Sequence, residues 1–146
     1  MIDRKWIGHE LPESVLPIER SRLQFFAKAI GETDPIYTDR NAAREAGYPD
    51  LPAPPTFLFA AELDSGASNA LLELLQIPIA KLLHGEQSFT YQRPACVGDT
   101  VTVHSTIADI YEKKNGALEF VVRMSRATNQ RGESVAELRT VLVCRH

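Results

Sequence analysis

Cysteine is nearly absent from this chain of 146 residues, which contains only Cys96 and Cys144. The two are far apart in the sequence, and neither belongs to a CxxC pair or to a cluster with histidine. A disulfide framework needs several cysteines, and a zinc site needs closely spaced cysteines and histidines. We therefore expect two buried, reduced thiols in a cytoplasmic protein, with no bound metal ion and no other cofactor.

Long apolar runs and an excess of positive charge are also missing. No apolar stretch approaches the ~20 residues that span a bilayer, and residues 1–13 lack the apolar segment of a signal peptide. The net charge is −3, which gives nucleic-acid binding no electrostatic support. We expect a protein that contacts neither membranes nor nucleic acid.

Familiar nucleotide and hydrolase motifs are absent as well, because there is no P-loop, no GxGxxG and no GxSxG. What remains is an ordinary globular composition, 44% hydrophobic and 24% charged. We find no internal repeat and no linker. The length and this uniformity predict one domain over residues 1–146.

The first half of the chain has helical periodicity. Residues 19–30 carry apolar side chains at i, i+3, i+4 and i+7, the pattern of an amphipathic helix, and Gly31 follows as a natural stop. Asp39 is placed to cap a second short helix. A third helix, predicted at 56–63, is apolar on nearly all sides, as buried helices usually are. A short Leu-rich helix is predicted at 68–76.

From His84 onward the apolar period changes to two, which indicates strands. The sequences KKNG and NQRGE separate long alternating runs and are typical of hairpin turns. Four sets of residues are predicted to share strand faces: Gln87, Phe89 and Tyr91; Val101, Val103, Ser105 and Ile107; Leu118, Phe120, Val122 and Met124; and Ala136, Leu138, Thr140, Leu142 and Cys144. Three long strands in a meander, with a shorter strand before them and one buried helix, predict an α+β hot-dog domain, an antiparallel sheet wrapped around a central helix.

The stretch FAKAIGETDPIYTD, residues 26–39, resembles the active-site signature G-D-x-N-P-(apolar)-H of the MaoC-like hydratases and dehydratases. Gly31, Pro35 and Ile36 match it. The segments AAREAGY, APPTFLF, LHGEQSFTYQRP and GDTV resemble, in the same order, the FAS1-like dehydratase branch of that family. This branch includes the subunits of mycobacterial (3R)-hydroxyacyl-ACP dehydratases that lack the hydratase motif. The resemblance extends over nearly the whole chain.

The resemblance implies a hot-dog fold and chemistry on acyl thioesters. The family hydrates trans-2-enoyl thioesters, or dehydrates (R)-3-hydroxyacyl thioesters, on CoA or acyl carrier protein. The reaction needs an activated water, a proton for the α-carbon and a polarised thioester carbonyl. The family assigns the first two to the Asp and His of its motif. Backbone N–H groups at the start of the buried helix, aided by the helix dipole, supply the third.

All three elements are altered here. Glu32 stands at the family's Asp, and a displacement of about 1 Å in a catalytic group can cost on the order of 10²-fold. Tyr37 stands at its His, and a phenol with a pKa near ~10 is a poor base. Pro55 aligns with a Gly whose N–H faces the carbonyl, and proline has no N–H. Thr56 offers the nearest remaining donor, and Asp34 replaces the family's Asn. We expect the standard site not to work in this chain alone. The alternative is that these residues are loop carboxylates and a packed aromatic.

Other candidates lie later in the chain. In LHGEQ, His84 and Glu86 have same-face spacing in an extended strand and predict a replacement acid–base pair. The alternative is a strand start that pairs with a partner subunit, approached closely at Gly85. Arg93 is a candidate for a phosphate of the pantetheine arm. Phe57, the rest of the predicted buried helix and Leu71–Leu75 are candidates to line an acyl tunnel, or to form ordinary core.

Three hypotheses about function follow. The first is a hydratase or dehydratase subunit with a degenerate Asp–His motif, acting as a homodimer or as a heterodimer with a motif-intact MaoC-like partner. The second is a non-catalytic binder of acyl-CoA or acyl-ACP. The third is a hydratase or thioesterase with a site rebuilt from His84, Glu86 or Glu32.

Overall fold

The computed structural model describes residues 1–146, and its main feature is one antiparallel sheet of five strands. In chain order the strands are β1 (Ser14–Pro17), β2 (Leu82–Tyr91), β3 (Thr100–Lys113), β4 (Leu118–Thr128) and β5 (Ser134–Arg145). They lie side by side in the order β1-β3-β4-β5-β2, so β1 and β2 form the two edges. The long hairpins were predicted. The short strand β1 was not, because SVLP ends in a proline and shows little alternation.

The first two helices agree with the sequence prediction. Helix α1 is Arg20–Ala29, and Gly31 follows with a left-handed φ of +72°. Helix α2 is Arg40–Glu45, and the Asp39 carboxylate caps it by accepting from the N–H groups of Asn41 and Ala42.

The central helix begins three residues later than the predicted 56–63, whereas the helix after it lies close to the predicted 68–76. Helix α3 is Phe59–Asp64, and helix α4, Ala67–Leu74, follows after Gly66, whose φ of +76° breaks the helical path. Residues 54–61 are held by bonds between residues three apart, such as Phe57 N–H to the Pro54 carbonyl, so the chain turns tightly before the helix begins. The helix is also not buried on all sides, because the Leu63 side chain is 55% exposed.

The sheet curls around α3 and α4, and the core lies between them. One cluster joins Leu58 and Ala61 to the strand residues Val101, Val103 and Leu138. A second cluster joins α4 to the other half of the sheet, and its members include Leu71, Leu75, Ile107, Ile110 and Val121. This arrangement is the hot-dog architecture. None of the helices is long and apolar enough to cross a membrane.

Strand β4 faces the core with an unexpected set of side chains. Leu118, Phe120, Val122 and Met124 alternate as predicted, but their face is the outer one, and Met124 is 37% exposed. The inner face carries Val121, Arg123, Ser125 and Ala127. The pattern of apolar residues did not predict which face of β4 points inward, because the inner face contains a charged residue whose partner is also buried.

Candidate functional site

The loop after α1 is held by its own carboxylates. Glu32 Oε1 accepts hydrogen bonds from the N–H groups of Thr33 and Asp34, at 2.9 and 3.0 Å. Asp34 Oδ1 accepts from the Ile36 N–H at 3.1 Å and caps a single 3₁₀ turn, Pro35–Tyr37. Both acids therefore shape the loop, while Glu32 Oε2 accepts no hydrogen bond within the chain.

Tyr37 lies beside Glu32, so the structure brings together these two candidate residues. Burial raises the pKa of Tyr37, and the charges of Glu32, Tyr48 and Asp34 raise it further. Its hydroxyl makes no hydrogen bond within the chain. Tyr37 is therefore a neutral phenol near neutral pH, suited to donate a hydrogen bond rather than to accept a proton.

Tyr91, at the end of β2, connects this loop to the turn before α3. Its hydroxyl donates to the Pro55 carbonyl oxygen at 2.5 Å. Burial, together with nearby Tyr37, raises the pKa of Tyr91 to about 12. Beyond that carbonyl, the Thr56 N–H donates to no acceptor within the chain. The sequence analysis placed Tyr91 on a strand face but gave it no role. The signal was there, because a half-buried tyrosine needs a partner for its hydroxyl.

An apolar cavity of about 440 Å³ lies next to Thr56, between α1, α3 and edge strand β2. This volume is within the range of small-ligand sites. Its lining residues are Phe26, Thr56, Phe59, Ala60, Leu63, His84, Gln87 and Phe89. A second depression, of about 530 Å³, lies on the outer face of the sheet among His104, Met124 and Glu137. It contains none of the candidate residues.

The predicted same-face spacing of His84 and Glu86 is wrong, because β2 has a bulge between them. The His84 ring lies edge-on to Phe59, with centroids 5.1 Å apart, at the cavity. Glu86 instead pairs with Arg139 at 2.6 Å on the exposed face of the sheet. The two side chains therefore do not meet as an acid–base pair.

Gly85 occupies the bulge because β5 passes close to it. A Cβ at this position would lie 2.8 Å from Val143 Cγ2 and 3.2 Å from the Val141 carbonyl oxygen. The close approach expected at Gly85 is thus made by a strand of the same chain, and a partner subunit is not needed to explain it.

Arg93 and Phe57 are engaged in the structure itself. The Arg93 guanidinium donates to the Ser134 carbonyl at 2.8 Å and pairs with Glu133 at 2.7 Å, which fixes the turn between β4 and β5. Phe57 is 1% exposed and packs edge-on against Phe26. Phe59, two residues later, is the aromatic that reaches the cavity.

A buried ion pair under α3 was missed by the sequence analysis. Glu62 pairs with Arg123, and both side chains are almost completely buried. Ser125 Oγ donates to Glu62 Oε1 at 2.5 Å and also contacts Ser105 Oγ at 2.8 Å. The signals were one acid within the apolar segment FLFAAEL and one arginine within the otherwise uncharged segment FVVRMS of β4. No group of three or more His, Cys, Asp or Glu side chains is placed to hold a metal ion.

Comparisons with known proteins extend over nearly the whole chain. The family model described as "FAS1-like, dehydratase domain region" matches residues 5–138. A UPF0336 protein of Thermobifida fusca is 37% identical over 147 aligned positions, which cover 99% of this chain and 94% of the relative.

Two solved structures are similar in fold. One is the C-terminally truncated HadBC (3R-hydroxyacyl-ACP dehydratase) complex from Mycobacterium tuberculosis, with a TM-score of 0.82, 24% identity and coverage of 94% of this chain and 96% of that one. The other is a MaoC-like dehydratase, with a TM-score of 0.85, 23% identity and coverage of 95% of this chain and 42% of that one. These likenesses confirm the hot-dog fold expected from the sequence.

Proposed function

This chain belongs to the family of FAS1-like dehydratase domain regions, as a MaoC-like hot-dog protein, and on that premise we propose that it is an acyl-thioester hydratase or dehydratase subunit with little activity of its own. The observation that carries the proposal is that Thr56, whose N–H has no acceptor in the chain, lines the apolar cavity. The loop with Glu32 and Tyr37 is connected to this point through Tyr91, which donates to the Pro55 carbonyl and whose pKa is raised in part by nearby Tyr37.

In this proposal the thioester carbonyl accepts a hydrogen bond from the Thr56 N–H. The acyl chain then extends along the cavity face of α3, past Phe59 and Ala60. Such a donor at a developing enolate oxygen is typically worth on the order of 10²–10³-fold in rate. This arrangement supplies binding and carbonyl polarisation.

Proton transfer is the weak part of the site. Tyr37 replaces an imidazole with a phenol that stays protonated, and one oxygen of Glu32 is occupied by the loop backbone. Proton transfer by well-placed groups is typically worth ~10²–10⁴-fold. The chain alone is therefore a slow catalyst, and a motif-intact MaoC-like partner supplies the Asp–His pair.

The edge of the sheet gives such a partner a place to bind. Strand β2 is paired on one side only, and it carries Leu83, 45% exposed, close in sequence to His84 at the cavity. Unpaired edges are usually covered in stable assemblies. Both a second copy of this chain and a MaoC-like partner satisfy this requirement. The solved HadBC structure is itself a complex.

A non-catalytic binder of acyl-CoA or acyl-ACP is the second candidate, favoured by the fact that the binding elements are intact while the proton-transfer elements are not. One experiment separates the two. Hydration of crotonyl-CoA is followed with the purified chain alone and with a MaoC-like protein from the same organism that carries an intact G-D-x-N-P-x-H motif.

The subunit proposal predicts slow turnover alone, well below the ordinary ~10 s⁻¹, and a large gain in the mixture. Light scattering on the same samples reports whether a complex forms. Binding without any gain in the mixture favours the binder, and ordinary rates from the chain alone contradict the degenerate site.

A further inference from the structure

The peptide group between Pro55 and Thr56 is held from one side and free on the other. Tyr91 donates to its carbonyl oxygen at 2.5 Å. The chain contains no cis peptide bonds, so the N–H of this planar group points away from its C=O. That N–H belongs to Thr56, which lines the apolar cavity and donates to no acceptor in the chain. A bond that fixes the carbonyl therefore also fixes the direction of the free donor.

Tyr91 is itself held rigidly enough to do this. It lies on β2 opposite Ala136 of β5, and its ring stacks on Phe89 with centroids 6.3 Å apart. The turn it contacts is fixed on the other side by the Phe57 N–H, which donates to the Pro54 carbonyl at 2.9 Å. Proline at position 55 restricts φ at the first residue of that peptide.

The hydrogen bond has an electronic consequence as well as a geometric one. A donor to an amide carbonyl polarises the amide, and its N–H becomes a stronger donor to the next acceptor in the chain of bonds. The order here is Tyr91 hydroxyl, Pro55 carbonyl, Thr56 N–H and then the ligand. This offsets the loss of an N–H at Pro55, because the neighbouring amide is oriented and strengthened.

We propose that Tyr91 is a positioning residue that orients and polarises the Pro55–Thr56 peptide, so that the Thr56 N–H donates to the carbonyl oxygen of an acyl thioester. The inference rests on the proposed function, and it adds a residue that the loop motif does not contain. Because the pKa of Tyr91 is about 12, its hydroxyl remains protonated, and can donate a hydrogen bond, over the whole pH range used for thioester assays. The polarisation that Tyr91 transmits to the bound carbonyl should therefore not change with pH between about pH 6 and pH 9.

The test is optical and needs no turnover. A conjugated 2,4-dienoyl-CoA absorbs at longer wavelength when its carbonyl accepts a strong hydrogen bond, so the shift of its band on binding reports polarisation directly. The full chain, Tyr91→Phe and the control Tyr111→Phe are titrated with this ligand. Tyr111 is a suitable control because its ring stacks on Phe120 far along β3 and its hydroxyl makes no hydrogen bond in the chain.

The wild type and Tyr111→Phe should shift the band equally, and Tyr91→Phe should lose most of the shift while binding about 10-fold more weakly. An undiminished shift with Tyr91→Phe overturns the inference and leaves the proposed function standing. Failure of the wild type to bind the dienoyl-CoA overturns the proposed function itself.

A second measurement covers the case in which Tyr91→Phe does not fold. The amide proton of Thr56 in the ¹⁵N-labelled wild type should move downfield when the dienoyl-CoA binds, because it gains an acceptor. A Thr56 resonance that stays in place while resonances of other cavity residues move would overturn the inference without any variant.

Discussion

Glu62 and Arg123 are the residues whose loss should harm the fold most. Removing one member of a buried ion pair leaves the other charge without a partner, at a typical cost of about 3–5 kcal/mol. We predict that Arg123→Met lowers the free energy of unfolding by about that amount in urea denaturation. The exposed pair provides the control, because Arg139→Met should cost no more than about 1 kcal/mol.

The double variant Glu62→Met with Arg123→Met separates charge from packing. With both charges gone and the volume kept, much of the loss should be recovered. An Arg123→Met variant as stable as the wild type would show that the pair contributes nothing.

Glu32 and Tyr37 give a prediction about restored chemistry. Changing them together, Glu32→Asp with Tyr37→His, should raise the enoyl-CoA hydration rate by about 10²-fold or more, because it returns the Asp–His pair that the family uses for proton transfer. The comparison is with the parent and with each single variant. A folded double variant that binds the thioester and gains no activity would mean that this loop does not face the reacting carbons.

Glu133 gives a prediction about pH. Hydrogen bonds from Asn129, then Arg131, then Arg93 lower its pKa from 4.5 to about 2. The folded pKa lies below the unfolded one, so this contribution is present above about pH 4.5 and is lost as the pH falls toward 2. Denaturation between pH 6 and pH 3 should show stability falling more steeply for the wild type than for Glu133→Gln. Glu73→Gln, at an exposed residue of α4 without an ion pair, is the control and should keep the wild-type slope.

At the scale of elements, the sequence predicted the helices and strands whose positions depend on interactions between residues close in the sequence. Helices α1 and α2 were predictable because the stop at Gly31 and the capping residue Asp39 can be recognised from the sequence. The strands β3 and β5 were predictable because their inward residues are mostly apolar. The late start of α3 and the polar inner face of β4 were not, since the first depends on the tight turn before Phe59 and the second on the pairing of Glu62 with Arg123 across the core.

The candidate site likewise combines features that the local sequence predicts with features that depend on residues distant in the chain. The loop carrying Glu32 and Tyr37 was predicted from its motif, and the two residues are near enough for the Glu32 charge to raise the pKa of Tyr37, while their role in catalysis stays a prediction. The pairing of His84 with Glu86 failed, because a single bulge at Gly85 reverses one side chain relative to the other. The bond from Tyr91 to Pro55 joins positions 36 residues apart and has no local signature.

The bulge in β2 leads to a prediction about stability. Gly85→Ala would place a Cβ 2.8 Å from Val143 Cγ2, so β2 has to shift away from β5. We predict a loss of about 1–3 kcal/mol in stability, the usual range for overpacking, together with weaker ligand binding, because His84 and Gln87 of the same strand line the cavity. Ser88→Ala, at an exposed position on β2, should change neither. A Gly85→Ala protein as stable as the wild type would contradict the prediction that a Cβ at this position strains the contact between β2 and β5.

At the scale of the whole molecule, the chain is a hot-dog sheet with an apolar cavity beside one of its two edge strands, β2. Fold and family are fixed by the architecture and by likeness along nearly the whole length. In our proposal the activity depends on the groups around the cavity between α1, α3 and β2 and on the loop after α1, where Glu32 and Tyr37 replace the family's Asp and His.

The most direct test of the account is calorimetric titration of the purified chain with trans-2-octenoyl-CoA, compared with Ala60→Trp, which fills the cavity, and with Ala108→Trp, at an exposed position on β3, as control. The account predicts saturable binding by the wild type and by Ala108→Trp, and at least about 10-fold weaker binding by Ala60→Trp, a difference of about 1.4 kcal/mol. Absence of binding by the wild type, or equal binding by a folded Ala60→Trp, would contradict it.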